Sequence, residues 1–347
     1  MPTVQELIDL NALSDWMDTQ GLEQGELKNA RLLTGGTQNI LMQFERGNTS
    51  YVLRRPPIHG RDNSNKTMQR EAQVLAALAG SDVPHPGFIA SCPETDVLGA
   101  SFYLMKPIIG FNAINGLPEF HHSNSKVKHR MGLSYIESLA KLGAVDYKAV
   151  GLESFGKPDG YLKRQVPRWL AQLESYAKVE AWPGLDKTVG IDVIAKWLEN
   201  NCPDTFIPGI IHGDAHIGNV MFANDSPEIA ALIDWELATI GDPLIDLGWI
   251  MATWPEPDGK ETLPLGGLDI NGFPSIEELI KHYGENSIRD LRNISWYGVL
   301  GCFKLAIILE GTYVRYCAGK APKNVAEMLH GTTLRLLERA HKLIEQS

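Results

Sequence analysis

The apolar pattern of the chain changes character once along its length, and this change constrains the fold more than any single motif. In the first 106 residues, short apolar runs are separated by turn signals such as Gly35-Gly36 and Gly47-Asn48. These runs predict about five antiparallel strands, with one helix in "TMQREAQVLAALAG" and a short amphipathic helix before residue 20. From about residue 126 onward, the long segments have helical spacing.

This change predicts an α+β chain with two unequal lobes. Residues 1–106 are expected to form a small, antiparallel, β-rich N-lobe, and residues 113–347 a large, mainly helical C-lobe. Residues 107–112, "PIIGFN", are a plausible hinge between them.

Charge and cysteine usage narrow the classes of function. The formal net charge of −10 argues against nucleic acid or an anionic membrane as partner. The four cysteines are scattered without a C-x-x-C pair, which favours a reducing compartment. The N-terminus is acidic where a signal peptide needs positive charge. The apolar run "YGVLGCFKLAIILEGTYV" carries Lys304 and Glu310, so it predicts a buried helix, and a cytoplasmic location is expected.

The segment "IIHGDAHIGNVMF" concentrates the chain's polar chemistry and permits two interpretations. In the first, His212, Asp214 and His216 alternate as on a strand and bind a metal such as zinc. A zinc site would need further ligands, but the other histidines are scattered apart from the pair His121-His122, and no H-E-x-x-H helix is present.

The second interpretation uses Asp214 and Asn219 together with Asp234, which ends the strand-like run "IAALID". Phosphoryl transfer needs a carboxylate that receives the proton of the attacking hydroxyl, and oxygen ligands that hold Mg²⁺ against the phosphates. An aspartate, an asparagine five positions later and a downstream aspartate follow the order of the protein-kinase catalytic template.

The combination of "HGDAHIGN" with "LIDWELATIGDPLIDL" resembles the signature of the aminoglycoside phosphotransferase and choline kinase superfamily, small-molecule kinases of protein-kinase-like fold. The resemblance implies a two-lobed protein-kinase-like fold and a kinase that uses ATP and Mg²⁺. It implies that Asp214 is the catalytic base and that Asn219 and Asp234 are the Mg²⁺ ligands. His212 is then expected to brace the loop and His216 to pack within it, while Asp246 anchors a helix start, a role that is compatible with an N-cap.

The N-lobe is expected to hold the nucleotide. "LLTGGTQNILMQF" resembles the family's turn over the ATP phosphates, with backbone and side-chain donors at Gly35, Gly36, Thr37, Gln38 and Asn39. Backbone groups near Met105 and Lys106 are expected to contact adenine.

One strand departs from the family pattern, because "YVLRR" has Arg54 where the kinase template has lysine. Arginine can still bridge phosphates and pair with Glu71 on the following helix. Arg55 is expected on the opposite face, in solvent. The departure leaves a rival hypothesis open, in which the chain is a catalytically weak nucleotide-binding module that regulates a partner.

The acceptor is the part that the sequence constrains least. "GYLKRQVPRWLAQ" places Arg164 and Arg168 four residues apart, on one predicted helix face beside Trp169. The stretch resembles a superfamily branch whose kinase-like domains occur alone or fused to acyl-CoA dehydrogenases, which implies a hydroxyl of a hydroxyacyl-type, anionic or CoA-linked small molecule as acceptor. The alternatives are a solvated basic helix without a ligand, and an aminoglycoside- or choline-type kinase with a cationic acceptor.

Overall fold

An antiparallel sheet of five strands forms the N-terminal part of the computed structural model, which describes residues 3–33, 39–57, 63–186, 189–255 and 268–347. The spatial order of the strands is β1-β2-β3-β5-β4. The strands are β1 (Lys28–Leu32), β2 (Ile40–Arg46), β3 (Thr49–Arg55), β4 (Phe88–Cys92) and β5 (Phe102–Met105). The five antiparallel strands expected from the apolar runs are therefore confirmed.

Three helices cover the two faces of this sheet. Two short helices precede it, α1 (Val4–Leu7) and α2 (Leu10–Thr19), and α3 (Ser64–Ala77) lies between β3 and β4. Neighbouring residues of β3 serve opposite faces, as the period of a strand requires. Leu53 packs in the cluster that contains Trp16 of α2, and Val52 packs in the cluster that contains Leu75 of α3.

The expectation that Arg55 is solvated is wrong. Its side chain is buried, and its guanidinium donates to the carbonyls of Leu7 and Leu98 at 3.1 and 2.8 Å. A buried guanidinium is tolerated when backbone oxygens accept its hydrogens, so Arg55 ties α1 to the sheet and takes no part in the nucleotide face.

The C-terminal region is mainly helical, as the spacing predicts. Its long helix α10 (Ile294–Cys317) runs through the core and is buried over two thirds of its most apolar stretch, so it is the buried helix expected from the sequence. Among the described residues it is also the one helix long and apolar enough to cross a membrane by length and composition. The helices are α4 (Glu119–His122), α5 (Ser125–Ala144), α6 (Gln165–Tyr176), α7 (Ile191–Asn200), α8 (Leu244–Thr253), α9 (Ile276–Glu285), α10 (Ile294–Cys317) and α11 (Lys323–Glu345).

Two nested hairpins between α7 and α8 bring the polar motifs together. The outer pair is β6 (Gly209–Ile211) with β9 (Thr239–Gly241), and the inner pair is β7 (Val220–Phe222) with β8 (Ile229–Leu232). The motif at 212–219 joins β6 to β7, and the motif at 233–238 joins β8 to β9. Both loops therefore lie at the same end of the hairpins. The division of the chain at residues 107–112 stays a prediction.

Candidate active site

The first motif loop holds Asp214 and Asn219 against each other. The Asn219 amide nitrogen donates to the backbone carbonyl and to the carboxylate Oδ2 of Asp214, both at 3.0 Å. These two bonds fix the amide plane, and its Oδ1 has no donor among the residues that the structure describes. One loop thus presents an aspartate carboxylate and a separate amide oxygen that can bind a cation.

His216 keeps the carboxylate of Asp214 ionised. Its Nδ1 accepts a hydrogen bond from the Gly218 amide at 3.1 Å, so the hydrogen is on Nε2, which lies 3.6 Å from Asp214 Oδ2. Burial raises the pKa of Asp214, but the hydrogen bond and charge of His216, with smaller contributions from Lys304 and from His212 once it is protonated, outweigh burial and lower it to about 2. Beyond the loop packing expected from the sequence, His216 therefore acts on the charge of Asp214.

Asp246 supports the same loop from below. Its carboxylate accepts hydrogen bonds from the amides of His212 and Gly213 at 2.7 and 2.8 Å. Burial raises its pKa to about 6, although both amide bonds oppose that rise. The N-cap role considered for Asp246 is wrong, because Asp246 lies inside α8 and the Leu244 amide at the start of α8 donates to Asp242 instead.

His212 ties the first motif loop to the second, which is the bracing expected from the sequence. Its Nε2 donates to the Ile233 carbonyl at 3.0 Å, and its fully buried ring lies 4.8 Å from the ring of Trp235. Burial lowers its pKa to about 4, so the ring is neutral at physiological pH. Gly213 completes the junction, since its φ is +88° and a Cβ there would lie 2.5 Å from the Leu237 carbonyl oxygen.

Arg54 connects the N-terminal sheet to the second loop. Its Nε lies 3.0 Å from Glu71 Oε2, and its Nη2 donates to Asp234 Oδ1 at 2.7 Å. Tyr103 donates to Glu71 Oε2 at 3.0 Å. Burial raises the pKa of Glu71 to about 7, while the charge of Arg54 opposes the rise. We call Arg54, Glu71 and Asp234 the nucleotide-side triad, and it contains the expected pairing of Arg54 with Glu71.

Asp234 begins a tight turn that gathers oxygen ligands. It has a left-handed backbone (φ 66°), which is uncommon for a residue other than glycine and is often found at functional sites. Ligand oxygens of Glu71, Asp234 and Glu236 lie within 4.8 Å of one another, the one such three-residue group among the described residues. Glu236 was missed at the sequence level, although a second acid two positions after Asp234 in "DWE" was a signal for it.

These oxygens suit Mg²⁺ and do not suit zinc. Asn219 Oδ1 and the carboxylates of Asp234 and Glu236 are hard ligands of the kind that Mg²⁺ prefers. The zinc interpretation fails on geometry, because residues 212–216 do not form a strand and His212 is turned to the Ile233 carbonyl. The histidines and Asp214 are thus not a ligand set within the described part of the chain.

The structure describes only part of the expected nucleotide contacts. Gly35, Gly36, Thr37 and Gln38 lie outside the described residues, and Asn39 directly precedes β2. Met105 is paired on both sides within the sheet, and the Lys106 amide donates to the Gly87 carbonyl at 2.7 Å. The expected adenine contacts at Met105 and Lys106 stay a prediction, and the Lys106 amide already donates to Gly87.

The residues expected to bind the acceptor line a basic groove of about 570 Å³. Its cationic lining residues are Lys157, Lys163, Arg164 and Arg168. Arg164 and Arg168 do not share a helix, because a 3₁₀ turn (Leu162–Arg164) precedes α6. Arg164 donates to the backbone carbonyls of Asp159 and Lys157, so it shapes the loop. Arg168 lies 5.3 Å from the ring centre of half-buried Trp169 and has no acid partner in the described ranges.

Lys304 of α10 is a further cation beside the first motif loop. Its ammonium donates to the Gly213 carbonyl at 3.2 Å and lies 4.2 Å from the ring centre of Trp249 and 5.7 Å from that of Trp169. Burial lowers its pKa to about 8, opposed by Asp214 and Asp246, so the ammonium is largely charged at neutral pH. In the sequence this lysine served only as an argument against a membrane span.

Comparison with known sequences identifies relatives along most of the chain. A profile of the phosphotransferase enzyme family matches residues 29–273. Acyl-CoA dehydrogenase family member 11 of Gallus gallus is 32% identical over 330 residues, and the alignment covers 92% of this chain. The human protein of the same name is 32% identical over 326 residues and 89% of this chain. The chain spans about two fifths of the length of these relatives, 40% in both.

Solved structures share the fold. A candidate aminoglycoside phosphotransferase of Ralstonia eutropha JMP134 is 27% identical, with a TM-score of 0.78 over 96% of this chain and 99% of that one. An aminoglycoside phosphotransferase bound to GDP and kanamycin has a TM-score of 0.61 at 15% identity, over 96% of this chain and 99% of that one. The similarity confirms the expected two-lobed, protein-kinase-like α+β fold.

Proposed function

Because the chain belongs to the phosphotransferase enzyme family and is a small-molecule kinase, we propose that it transfers the γ-phosphate of ATP to a hydroxyl of a small anionic molecule, such as a hydroxyacyl compound that is free or linked to CoA. The observation that carries this proposal is the junction of the two motif loops. Nested hairpins bring Asp214 and Asn219 of one loop beside the loop of Asp234, and His212 ties the loops together.

Asp214 has the environment that the base of this reaction needs. Its low pKa keeps the carboxylate ionised, so it accepts a hydrogen bond from the acceptor hydroxyl and orients the oxygen toward the γ-phosphorus. As the new oxygen–phosphorus bond forms, the bond to the bridging oxygen breaks and ADP leaves with its electron pair. The hydroxyl proton passes to Asp214, late in the step, because a carboxylate of low pKa is a weak base.

The nucleotide-side triad binds and orients the phosphates. Arg54 can donate to phosphate oxygens while Glu71 holds the base of its guanidinium. Asn219, Asp234 and Glu236 would hold Mg²⁺, which when bound supplies positive charge against the phosphate oxygens. Because Asp234 pairs with Arg54 in the structure, phosphate and metal binding compete with that ion pair.

The charge of the acceptor side favours an anion. The basic groove and Lys304 supply cations near the catalytic loop, and a polycationic sugar would meet like charge there. The similarity to proteins named acyl-CoA dehydrogenases supports a hydroxyacyl compound, free or linked to CoA. The rival hypothesis of a cationic acceptor gains less support because of these positive charges. The hypothesis of a catalytically weak regulatory module gains less support because Asp214, Asn219 and Asp234 are all in place.

A competition experiment with γ-labelled ATP tests the proposal. Hydroxyacyl-CoA thioesters, kanamycin and choline are offered together in the presence of Mg²⁺, and the labelled products are separated. We expect label in a hydroxyacyl thioester well above that in the cationic compounds. Efficient labelling of kanamycin or choline with the thioesters unlabelled would contradict the anionic acceptor, and no transfer to any hydroxyl would favour the regulatory module.

A further inference from the structure

A group of side chains with unused hydrogen-bond donors lies beside the first motif loop. It is built from three helices, with Arg168 and Trp169 on α6, Trp249 on α8 and Lys304 on α10. The Lys304 ammonium contacts both tryptophan rings, and the Arg168 guanidinium lies over Trp169. We call these four side chains the acceptor-side cage.

Lys304 has more hydrogen-bonding capacity than the protein uses. An ammonium carries three donors, and the Gly213 carbonyl accepts one of them. Within the described residues no carboxylate lies within 4.0 Å of this ammonium, whereas buried Lys128 is neutralised by Asp269 at 2.9 Å. Asp214 and Asp246 act on this ammonium from beyond that distance. A lysine charge in packed surroundings is costly without a contacting counter-charge, and tryptophan faces compensate only partly.

The two tryptophans that the Lys304 ammonium contacts also carry unused donors. The indole nitrogens of Trp169 and Trp249 are buried and have no acceptor in the described part of the chain. Buried indole N–H groups usually find a partner, so their lack of one points to a ligand that brings oxygen atoms. Among these groups every charge is positive and every unused polar atom is a donor.

A purely structural role for Lys304 accounts for less of this arrangement. Asp246 and His212 already hold the loop beside Gly213, with hydrogen bonds of 2.7, 2.8 and 3.0 Å. A bond to one carbonyl does not need a full charge placed between two aromatic rings. The side chain of Lys304 is also only partly buried, which leaves it open to a ligand.

We propose that Lys304, with Arg168, binds a carboxylate or phosphate of the acceptor and thereby selects anionic hydroxy compounds over neutral and cationic ones. The proposal rests on the proposed kinase function and names a specificity-determining residue within it. Since Gly213 directly precedes Asp214, an anion held by Lys304 would keep the acceptor next to the base. The acceptor's hydroxyl and its anionic group would then be recognised by neighbouring parts of one site.

The test compares three acceptors, 3-hydroxybutyrate, 3-hydroxybutyryl-CoA and the uncharged 3-hydroxybutyramide, with γ-labelled ATP. The variants are Lys304→Met, which keeps the apolar stem between the rings, and Lys304→Arg, which keeps the charge. Lys196→Met removes the same charge from an exposed position on α7 and serves as the control. Thermal stabilisation by Mg·ATP is measured for every variant and reports whether the nucleotide site is intact.

We expect wild type to use at least one charged acceptor about tenfold or more better than the amide. Lys304→Met should lower kcat/KM for that acceptor by about tenfold to a hundredfold, as expected for one hydrogen bond to a charged group. Lys304→Arg should keep most of the preference, while the amide and the KM for ATP change little. Loss confined to the free acid identifies a carboxylate, and loss that includes the thioester identifies a CoA phosphate.

Three results would overturn the role of Lys304. They are equal use of the amide and the charged acceptors by wild type, an equal loss with all three acceptors in Lys304→Met, and stabilisation by Mg·ATP without transfer to any of them. If Mg·ATP neither stabilises the protein nor donates phosphate to any hydroxyl, the proposed function itself fails.

Discussion

The cation on one side of the first motif loop is paired with acids, whereas the cations on the other side are not. On the nucleotide side, Arg54 is paired with Glu71 and with Asp234 at 3.0 and 2.7 Å. On the acceptor side, Lys304 and Arg168 contact tryptophan rings and have no acid partner among the described residues. Asp214 and Asp246 act on the Lys304 ammonium, but neither lies within ion-pair distance of it.

The contrast indicates which side has its charge contacts formed before a ligand binds. A paired triad is ordered without a ligand, so ATP and Mg²⁺ must replace contacts that already exist. Cations without an ion-pair partner gain a contacting counter-charge only when an anion binds, so they contribute mainly to selectivity. Asp214 lies between the two sides. Substitutions on each side should therefore have separate effects on nucleotide binding and on transfer to the acceptor.

The largest effect is expected from Asp214→Asn. The amide cannot take the hydroxyl proton, so transfer should fall by about a thousandfold, while Mg·ATP affinity stays within about twofold. Label-transfer rates and calorimetric titration with Mg·ATP measure the two quantities, with Asp290→Asn as an exposed control. A large loss of nucleotide affinity would show that Asp214 belongs to the nucleotide side and would break the comparison.

Asp234→Asn should act on the nucleotide side. It removes a metal ligand and the acid that pairs with Arg54, so the Kd for Mg·ATP should rise by about tenfold or more, together with a loss of turnover. The same titration in EDTA should show a much smaller difference between variant and wild type. Wild-type affinity for Mg·ATP in this variant would contradict the ligand role of Asp234.

Arg54 tests whether the arginine replaces the template lysine. Arg54→Ala should raise the KM for ATP by about tenfold and lower the melting temperature, since buried Glu71 loses its partner. Arg54→Lys should retain appreciable activity because it keeps a charge near Glu71. Arg31→Ala, on exposed β1, is the control. Full activity of Arg54→Ala would remove Arg54 from the nucleotide side.

The smallest effect concerns the brace that joins the two motif loops. His212 has a pKa of about 4 in the folded protein and about 6.5 when unfolded. Between these values the unfolded chain binds the proton and the folded one does not, so stability falls as pH falls. His212→Gln should flatten this slope by at most about 1.4 kcal/mol per pH unit. Urea titrations from pH 7 to pH 4 measure it, and an unchanged slope would contradict burial of a neutral His212.

The sequence predicted the features that depend on local pattern. The alternation of apolar residues in the first 106 residues and the helical spacing after residue 126 correspond to the observed sheet and helices. Asp214, Asn219 and Asp234 were singled out because their order along the chain matches a known chemistry. The nested hairpins bring the two loops that carry them to the same end, and their catalytic and metal-binding roles stay a prediction.

Long-range contacts could not be predicted in the same way. Lys304 lies 90 residues after Asp214, and nothing in its apolar helix signals the Gly213 carbonyl. Arg55 looked solvated because strand periodicity gives its face and cannot show that the carbonyls of Leu7 and Leu98 meet it there. Asp246 was considered as an N-cap of its own helix, whereas its hydrogen-bond partners belong to the loop after β6.

The proposed kinase reaction is organised around Asp214, between a paired nucleotide side and an acceptor side that we propose to be selective for anions. The most direct measurement follows label from γ-labelled ATP into 3-hydroxybutyryl-CoA and choline, with Mg²⁺ present and after chelation. We expect labelled hydroxyacyl product that forms only with Mg²⁺ and in a larger amount than labelled choline. Transfer that survives chelation, label that enters choline preferentially, or no label in any acceptor would contradict it.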